Sequence, residues 1–511
     1  MNRIEQNNTE PSQTSWFWVI VFILGAMLLA GDYSWKSSRF VPSIHDETSY
    51  LFQARTFLLG RVTNPVHPEH LFFDQYHVIN EGVYASKYFP GFALTLMPFV
   101  LMGQPYFNPI FFYGIELLLI FLIGKELYGK KAAWLAMIIA AISPQILMQN
   151  CFLLSHVPNA VFSLLFFYGF IQSEENEKLG WIPVAAASWG MSFLIRPVTA
   201  IGFALPIGLF LIWKLLRKEL VHPAKKIMLW LTPVLLFVLA NFIYNKAVTG
   251  HYLKSPFDYY AEIHAPFHRY GFHVWEKYAE QAKGPRVDKR FNEFYHDHTP
   301  LIGLQFTGLR LSVFTTFLFG QTVLGVFFLG LWLINLRKRN PWDLLIFSIW
   351  ISLQAFYLPH WYPGVLTFGS NYLYESTGLI LIAIVNTVLI LLQHPKLIPY
   401  QKWLGIAMLA ICVSCSSLLV RDLSHEVLGL KSLKFWIYRQ ITDRKIDRAV
   451  VFLKLPEKPQ INWDITDNVP TLNSRLVFAH DRGSEDQKLK PYFKGYTFLV
   501  WDVEKGTLET I

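Results

Sequence analysis

The chain has 511 residues, of which 53% are hydrophobic, 16% aromatic and only 16% charged, with a formal net charge of +9. Soluble domains carry about 25% charged residues, so this composition argues against an ordinary cytosolic enzyme, and the apolar content excludes a disordered chain. The composition predicts a polytopic membrane protein whose excess Lys and Arg lie in cytoplasmic loops, and we expect no nucleic-acid partner.

An uncharged apolar run of about 18–20 residues can cross a bilayer as a helix. The first run is interpreted as an uncleaved span, because the segment before it lacks a signal-peptide cleavage site. The predicted spans cover residues 16–31, 107–124, 131–148, 153–171, 181–195, 198–213, 227–245, 310–335, 342–358, 373–392 and 402–420. We therefore expect an all-α polytopic membrane protein with about 11 transmembrane helices.

A further apolar stretch, residues 89–102, is short and contains Pro90 and Pro98. We interpret it as a juxtamembrane or re-entrant segment. The basic clusters at 125–131, 214–226, 337–339 and 396–402 then share the side of the N-terminus, and short basic loops belong in the cytoplasm. The loop at 173–179, with three Glu, is the exception. We expect a cell-membrane protein with a cytoplasmic N-terminus and an extracytoplasmic C-terminus.

This topology predicts a transmembrane domain over residues 1–420, with outer loops at 32–106 and 246–309, and an extracytoplasmic soluble domain at 421–511. Strand-like runs at 450–453, 476–479 and 498–501 alternate with polar and helical stretches in the last segment. They predict a small α/β or α+β domain. The chain has no internal repeat, which counts mildly against a transporter built from two halves.

The first outer loop opens with residues 43–50, SIHDETSY. Apolar residues then recur at helical spacing as far as Leu58, which predicts an amphipathic juxtamembrane helix on the membrane surface. Ser43 and Asp46 match a capping box, in which the acid only stabilises the helix terminus. The functional alternative is that Asp46 is a general base at the water–lipid boundary.

Lys87 lies among aromatic residues in the stretch 84–91, YASKYFPG. At the outer boundary it could contact a lipid phosphate as a compact charge, or snorkel between interfacial tyrosines. His67, His70 and Asp74 have side chains that can bind a metal ion, but their spacing is only a weak indication of a metal site. The alternative is that the segment is an ordinary loop.

Ionisable residues at or within spans are costly, which makes them candidate functional residues. Arg196, at an outer helix end before Pro197, could bind a phosphate through its planar guanidinium or act as a helix C-terminal cation. His156 lies at another outer helix end. Glu375, at the edge of a span, could pair with a cation across the bundle.

With these residues in view, the chain resembles the GT-C class of membrane glycosyltransferases, which includes protein O-mannosyltransferases and the aminoarabinose transferases of lipid A, and most closely the bacterial members. The resemblance starts with the outer Asp-Glu after the first span and the Ser-Lys-Tyr-x-Pro-Gly stretch. It continues at residues 124–131, 143–144, 154–156, 193–197, 244–250, 368–375 and 479–483.

The resemblance implies transfer of one sugar from a polyprenyl-phosphate carrier to a glycan, lipid or protein acceptor, without a cofactor, although some members of the class need a divalent metal. Asp46 would be the base or the acceptor-positioning carboxylate, supported by Glu47, and the displacement would invert the anomeric centre. The implied substrate-binding residues are His45, Asp74, Lys87, Tyr88, His156, Arg196, Asn371 and Tyr372.

One position departs from the pattern of the class. Where relatives have Gly-Pro-Arg-Tyr, this chain has Gly369-Ser370-Asn371-Tyr372, so a cation expected near the site is missing. Two alternatives to a transferase stay open, namely a transporter or flippase for a lipid-linked solute and an inactive scaffold that binds the lipid carrier. There is no Walker loop, so we do not expect ATP-driven transport.

Overall fold

The computed structural model describes residues 15–266, 268–278, 297–338, 340–456 and 464–511, so Arg339 and part of the predicted loop at 246–309 lie outside the description. The described chain is mainly helical. Its α-helices are α1 (Trp16–Ser38), α2 (His45–Leu58), α3 (Pro90–Leu101), α4 (Phe107–Tyr128), α5 (Lys130–Ile142), α6 (Pro144–Leu147), α7 (His156–Glu174), α8 (Trp181–Ile195), α9 (Pro197–Leu216), α10 (Pro223–Thr249), α11 (Pro256–Ile263), α12 (Pro300–Phe319), α13 (Thr322–Asn335), α14 (Pro341–Tyr357), α15 (Thr377–Leu392) and α16 (Gln401–Asp443).

Several of these helices are long and apolar enough to cross a bilayer. Within the described ranges seven qualify, or eight if the bent pair formed by α5 and the segment from Pro144 to Cys151 is one span. The chain is therefore a multi-pass membrane protein. The predicted count of about eleven is not confirmed, because some predicted runs form shorter helices, such as α8 with 15 residues and α13 with 14.

The predicted span at 310–335 is wrong, because the chain breaks there into α12 and α13. The break is at Gly320, whose φ of +80° is a left-handed conformation that glycine adopts readily. A Cβ on Gly320 would lie 2.4 Å from the backbone of Cys415 in α16. Apolar composition alone does not register such a turn, since both helices are hydrophobic.

The first outer loop folds into α2, a hairpin of β1 (Val78–Glu81) and β2 (Val83–Ser86), and α3. The predicted helix α2 is present, but 10 of its 14 residues are buried within the protein, so it does not lie on a bilayer surface with one free face. Helix α3 has 12 residues and a rise of about 18 Å, short of the roughly 30 Å hydrocarbon layer. The interpretation of residues 89–102 as non-crossing agrees with this length.

The end of the chain forms a four-stranded sheet with the order β6-β5-β7-β8. Its strands are β5 (Ala449–Lys454), β6 (Leu476–His480), β7 (Thr497–Asp502) and β8 (Thr507–Thr510), and only the β7–β8 pair is antiparallel. One face of the sheet packs on Ile437 and Ile441 of α16, and the other packs on Phe72 and Phe73 of the first outer loop. The three predicted strands are confirmed.

Candidate functional site

Polar side chains from five parts of the chain meet at one end of the helix bundle. The first outer loop reaches α10 where the Gln53 amide donates to the hydroxyl of Tyr244, at 2.6 Å. It reaches α11 where the Tyr260 hydroxyl accepts from the backbone N–H of His77, at 3.2 Å. The start of α9 meets the end of α14 where Thr199 and Tyr357 share a hydrogen bond of 2.5 Å. The two groups of contacts are connected through Ser155, which hydrogen-bonds to both Tyr50 of α2 and Arg196 before α9.

Asp46 is the carboxylate that this region leaves accessible, with 35% of its side chain exposed. Its Oδ1 accepts a hydrogen bond from the hydroxyl of Tyr88, and its Oδ2 lies 3.8 Å from Nε2 of His77. The capping-box interpretation of Ser43 and Asp46 is wrong, because Glu47 supplies the capping carboxylate. Asp46 is therefore directed into the site.

Glu47 points away from Asp46 and is completely buried. Its Oε2 accepts from the backbone N–H groups of Ser43 and Ile44, at 2.8 and 3.1 Å. Its Oε1 accepts from the Tyr106 hydroxyl at 2.8 Å and from the backbone N–H of Leu153 at 2.9 Å. Every contact holds the Glu47 carboxylate in the protein interior, so it does not line the accessible site, and its predicted role in supporting Asp46 stays a prediction.

Lys87 lies beside this site in a pocket of aromatic rings. Its Nζ is 4.4 Å from the ring centre of Phe257, 5.0 Å from that of Tyr260 and 3.5 Å from Nδ1 of His268. Burial lowers the pKa of Lys87 to about 7, against the attraction of the Asp46 carboxylate. Lys87 is therefore enclosed rather than snorkelling, and it lies near Asp46 with no direct carboxylate contact among the residues that the structure describes.

A line of contacts leads from Asp46 to Arg196. The ring of Tyr88 stacks on that of Tyr50 at 4.3 Å, and the hydroxyl of Tyr50 donates to Ser155 at 3.3 Å. Arg196 Nη1 donates to the same Ser155 hydroxyl at 3.4 Å. Burial, followed by the charge of Asp46, raises the pKa of Tyr88 well above its usual value, so this hydroxyl stays protonated as a donor.

Arg196 is oriented by a carboxylate beneath it. Its Nε lies 3.7 Å from Oε1 of the buried Glu375, and its Nη2 donates to the Tyr357 hydroxyl at 3.1 Å. The same Glu375 oxygen accepts from the Asn159 amide at 2.9 Å and lies 3.5 Å from Nδ1 of His156. The sequence-based pairing of Glu375 with a cation is present. His156 and Arg196 share this carboxylate, but only Arg196 is partly exposed.

Tyr372 closes the site from the other side. Its ring stacks on Tyr357 at 4.1 Å and faces both Arg196, at 5.5 Å, and Arg310, at 5.1 Å. Asn371 stands beside it and accepts a hydrogen bond from the Gln149 amide at 3.1 Å. Position 371 has no cation in this chain, but Arg310 of α12 places a positive charge beside the adjacent residue, Tyr372.

Arg310 was not predicted as a site residue. It is completely buried, and its guanidinium donates to the backbone carbonyls of Pro363 at 2.7 Å, Tyr357 at 2.7 Å and Tyr362 at 3.0 Å. It therefore holds the turn after α14 in place. An arginine at the start of a predicted apolar span is the sequence feature that could have drawn attention to it.

Some predicted residues lie outside this cluster. Asp74 accepts from the Asn80 amide at 3.0 Å, on the far part of the hairpin segment. His45 packs its ring on Tyr76 at 4.2 Å and lies at the edge of the site, 6.4 Å from the ring of His77. His67 packs on Tyr492 near the C-terminal sheet. Among the described residues, no group of three or more His, Cys, Asp and Glu side chains is arranged to hold a metal ion.

Residues 94–244 match the family model of dolichyl-phosphate-mannose-protein mannosyltransferases, a segment that includes His156 and Arg196 but not Asp46 or Lys87. No curated protein sequence matches the chain.

Solved structures share the fold. ArnT from Cupriavidus metallidurans in the apo state has a TM-score of 0.55 at 12% identity, over 96% of this chain and 93% of that chain. The same protein bound to undecaprenyl phosphate gives 0.54 at 13% identity, over 95% and 93%. An oligosaccharyltransferase from Archaeoglobus fulgidus gives 0.49 at 13% identity, over 80% and 56%. The ArnT pair confirms the predicted fold class.

Proposed function

We propose that this protein transfers a single sugar from a polyprenyl-phosphate carrier to an acceptor on the outer face of the cell membrane. The observation that carries the proposal is the placement of an accessible carboxylate, Asp46, near a buried lysine, Lys87, at one end of a bundle with the fold of ArnT. ArnT binds undecaprenyl phosphate, a carrier of the class we propose here. The acceptor is a glycan, a lipid or a protein.

The reaction is an inverting displacement. Asp46 takes the proton from an acceptor hydroxyl while that oxygen attacks the anomeric carbon of the sugar. The bond from the anomeric carbon to the carrier phosphate breaks, and its electron pair stays on the phosphate oxygen. The hydrogen bond from Tyr88 orients the carboxylate and leaves Oδ2 on the side of His77.

The leaving group requires cations rather than a general acid, because a lipid phosphate is stable as an anion. Lys87 and Arg196 stand on either side of the Tyr50–Tyr88 ring stack, with Arg196 reached through Ser155. Fixed cations in a partly desolvated site stabilise charge that develops in the transition state. We assign them to the phosphate, with Tyr372 as a further wall of the binding site.

A flippase or an inactive scaffold would also bind a lipid carrier. Neither needs an accessible carboxylate that is hydrogen-bonded in a fixed direction next to a buried lysine. The transferase therefore accounts for more of the site than either alternative does.

The deciding experiment uses purified protein in lipid bilayers with labelled polyprenyl-phosphate sugars and follows loss of the donor. We expect Asp46→Asn to lower the rate by at least about 100-fold, as expected for loss of a general base. Asp258→Asn, an exposed carboxylate in α11, is the matched control and should retain the wild-type rate. Binding of the carrier without donor loss in the wild type would favour the flippase or scaffold.

We further propose that the transfer needs no resident metal. Lys87 and Arg196 already supply the positive charge that a divalent ion would bring to the phosphate. Treatment with a strong chelator followed by dialysis should leave the rate of donor loss within about twofold of the untreated protein. A rate that disappears and returns on adding Mg²⁺ or Mn²⁺ would contradict this proposal.

A further inference from the structure

Two buried groups of charges join α2, the helix that carries Asp46, to the outer end of α16. The last helix runs on for 43 residues without a break, so its outer part passes beside the first outer loop. Lys431 and Lys434 lie within one helical turn of each other in this part of α16, and both are only 2% exposed. Lysine is seldom buried unless it is paired, so each of them needs an explanation.

Lys431 binds the N-terminal end of α2. Its Nζ lies 3.6 Å from Oε2 of Glu47, and it donates to the carbonyls of Val41 at 2.8 Å and Cys151 at 3.2 Å. It also donates to the hydroxyl of Tyr106 at 3.2 Å, the same hydroxyl that donates to Glu47. The lysine thus joins the chain entering α2, the chain before α7 and the capping carboxylate.

Lys434 binds the other end of α2 through the C-terminal segment. Its Nζ donates to Oδ2 of Asp467 at 2.8 Å, and Oδ1 of Asp467 lies 3.5 Å from Nη1 of Arg55. The charges of Lys434 and Arg55 lower the pKa of Asp467 although burial alone would raise it. Glu47 and Arg55 are eight residues apart, or about 12 Å along the helix axis, so α16 holds α2 at two separated points.

Such an arrangement specifies geometry better than it adds stability. A buried ion pair is often no more stable than an apolar pair of the same size, because both charges lose their hydration. Its partners must, however, keep their positions, since moving either one leaves a buried charge unpaired. In this protein the ion pair with Lys431 fixes the first turn of α2. In that turn Asp46 directly precedes Glu47, and its side chain points in a different direction from that of Glu47.

We propose that Lys431 is a positioning residue that acts through Glu47 to hold Asp46 in its reactive orientation. Lys434 and Asp467 hold the far end of the same helix. The inference rests on the proposed function for its effect on rate, and it extends the functional unit to the outer part of α16 and the C-terminal segment. Neither Lys431 nor Lys434 contacts the accessible region around Asp46.

The test compares Lys431→Met, Lys431→Arg and the double variant Glu47→Gln with Lys431→Met. The control is Lys214→Met, which removes one of the two lysines paired with the buried Glu174, at 2.5 Å, at the opposite end of the bundle. Donor turnover gives kcat and KM, thermal unfolding reports stability, and hydrogen exchange measures the protection of the amides at 45–58.

We expect Lys431→Met to lower kcat at least tenfold with KM for the donor within threefold, and to speed exchange in α2 selectively. Lys431→Arg should restore part of kcat. The double variant, which has no unpaired charge, should recover thermal stability but not kcat. Lys214→Met should leave kcat and α2 exchange unchanged.

Two results would overturn the inference. The first is unchanged α2 exchange in Lys431→Met, which needs no activity and decides the anchoring even if the wild type consumes no donor. The second is a loss of kcat in Lys214→Met that equals the loss in Lys431→Met at the same drop in unfolding temperature, because the effect would then be general destabilisation. A wild type without turnover would instead contradict the proposed function.

Discussion

Asp46 and Glu47 are neighbours in sequence with opposite environments. One is partly exposed and receives a hydrogen bond from Tyr88, whereas the other is fully buried with five polar contacts. Successive residues of a helix point about 100° apart, so a helix packed on several sides sends adjacent carboxylates into different surroundings. These environments suit the two roles proposed above, chemistry for Asp46 and anchoring for Glu47.

Lys87 leads to a prediction on pH dependence. Its pKa is lowered to about 7 by burial, so its positive charge is present below that pH and is lost as the pH rises through it. The phosphodiester of the donor does not titrate in this range. The pKa values of His77 and His268 are lowered well below 6.5 by burial and by Lys87, so both rings remain neutral.

We therefore expect KM for the donor to rise about tenfold or more between pH 6 and pH 9 in the wild type. Lys87→Arg, whose guanidinium stays charged throughout, should show a nearly flat profile. Steady-state kinetics across this range measure both. A wild-type KM that does not change with pH would show that Lys87 does not bind the donor phosphate.

At the scale of elements, the site depends on how closely α3 approaches α8. A Cβ on Gly91 would lie 2.6 Å from the backbone carbon of Leu194 and 2.7 Å from the nitrogen of Ile195, just before Arg196. The glycine in the Lys-Tyr-Phe-Pro-Gly stretch is thus required by helix packing. It sets the distance between the segment that carries Lys87 and the helix end that carries Arg196.

Gly91→Ala should force the two helices apart at a cost of about 1–3 kcal/mol, the usual range for overpacking. The unfolding temperature and the rate of donor loss should both fall. Gly208→Ala in α9, where no atom lies within 4 Å of the added Cβ, is the control and should leave both unchanged. If Gly91→Ala kept the wild-type unfolding temperature and rate of donor loss, the close approach of α3 and α8 would not be needed for stability or for the site.

Contacts between elements also explain why the loop at 173–179 is acidic. Glu174 forms ion pairs with Lys214 at 2.5 Å and Lys226 at 2.6 Å, so it is neutralised by the basic loop beside it. The acidic loop, which departs from the pattern of basic loops on this side, therefore forms ion pairs with one of those basic loops. It supports, without testing, the proposed cytoplasmic position of these loops.

For the whole molecule, the orientation in the membrane remains a prediction, with the N-terminus in the cytoplasm and the C-terminal sheet outside. Lys505→Cys in the sheet should react with a membrane-impermeant maleimide added to intact cells, because this side chain is 72% exposed. Lys218→Cys, in a loop at the opposite end, should react only after the membrane is opened. The reverse labelling pattern would contradict the topology.

The native cysteines allow this measurement. Cys151 and Cys412 are buried and Cys415 is only partly exposed, so the background labelling should be low.

The class of this protein, a polytopic membrane bundle with a small C-terminal sheet, could be predicted from its amino-acid sequence. So could Asp46, Lys87 and Arg196 as candidate site residues, and the family resemblance added Tyr372. Long apolar runs, alternating strand patterns and isolated ionisable residues at helix ends are local features, and local features can be read without knowing which elements meet.

Which side chains lie together depends on contacts between distant parts of the chain. Glu47 turns inward, Arg310 stands near the place where Asn371 lacks a charge, and Lys431 reaches α2 from the far end of the chain. Each of these contacts joins residues separated by more than 50 positions, and periodicity carries no information over such distances. The turn at Gly320 was missed for a related reason, because it depends on the close approach of α16.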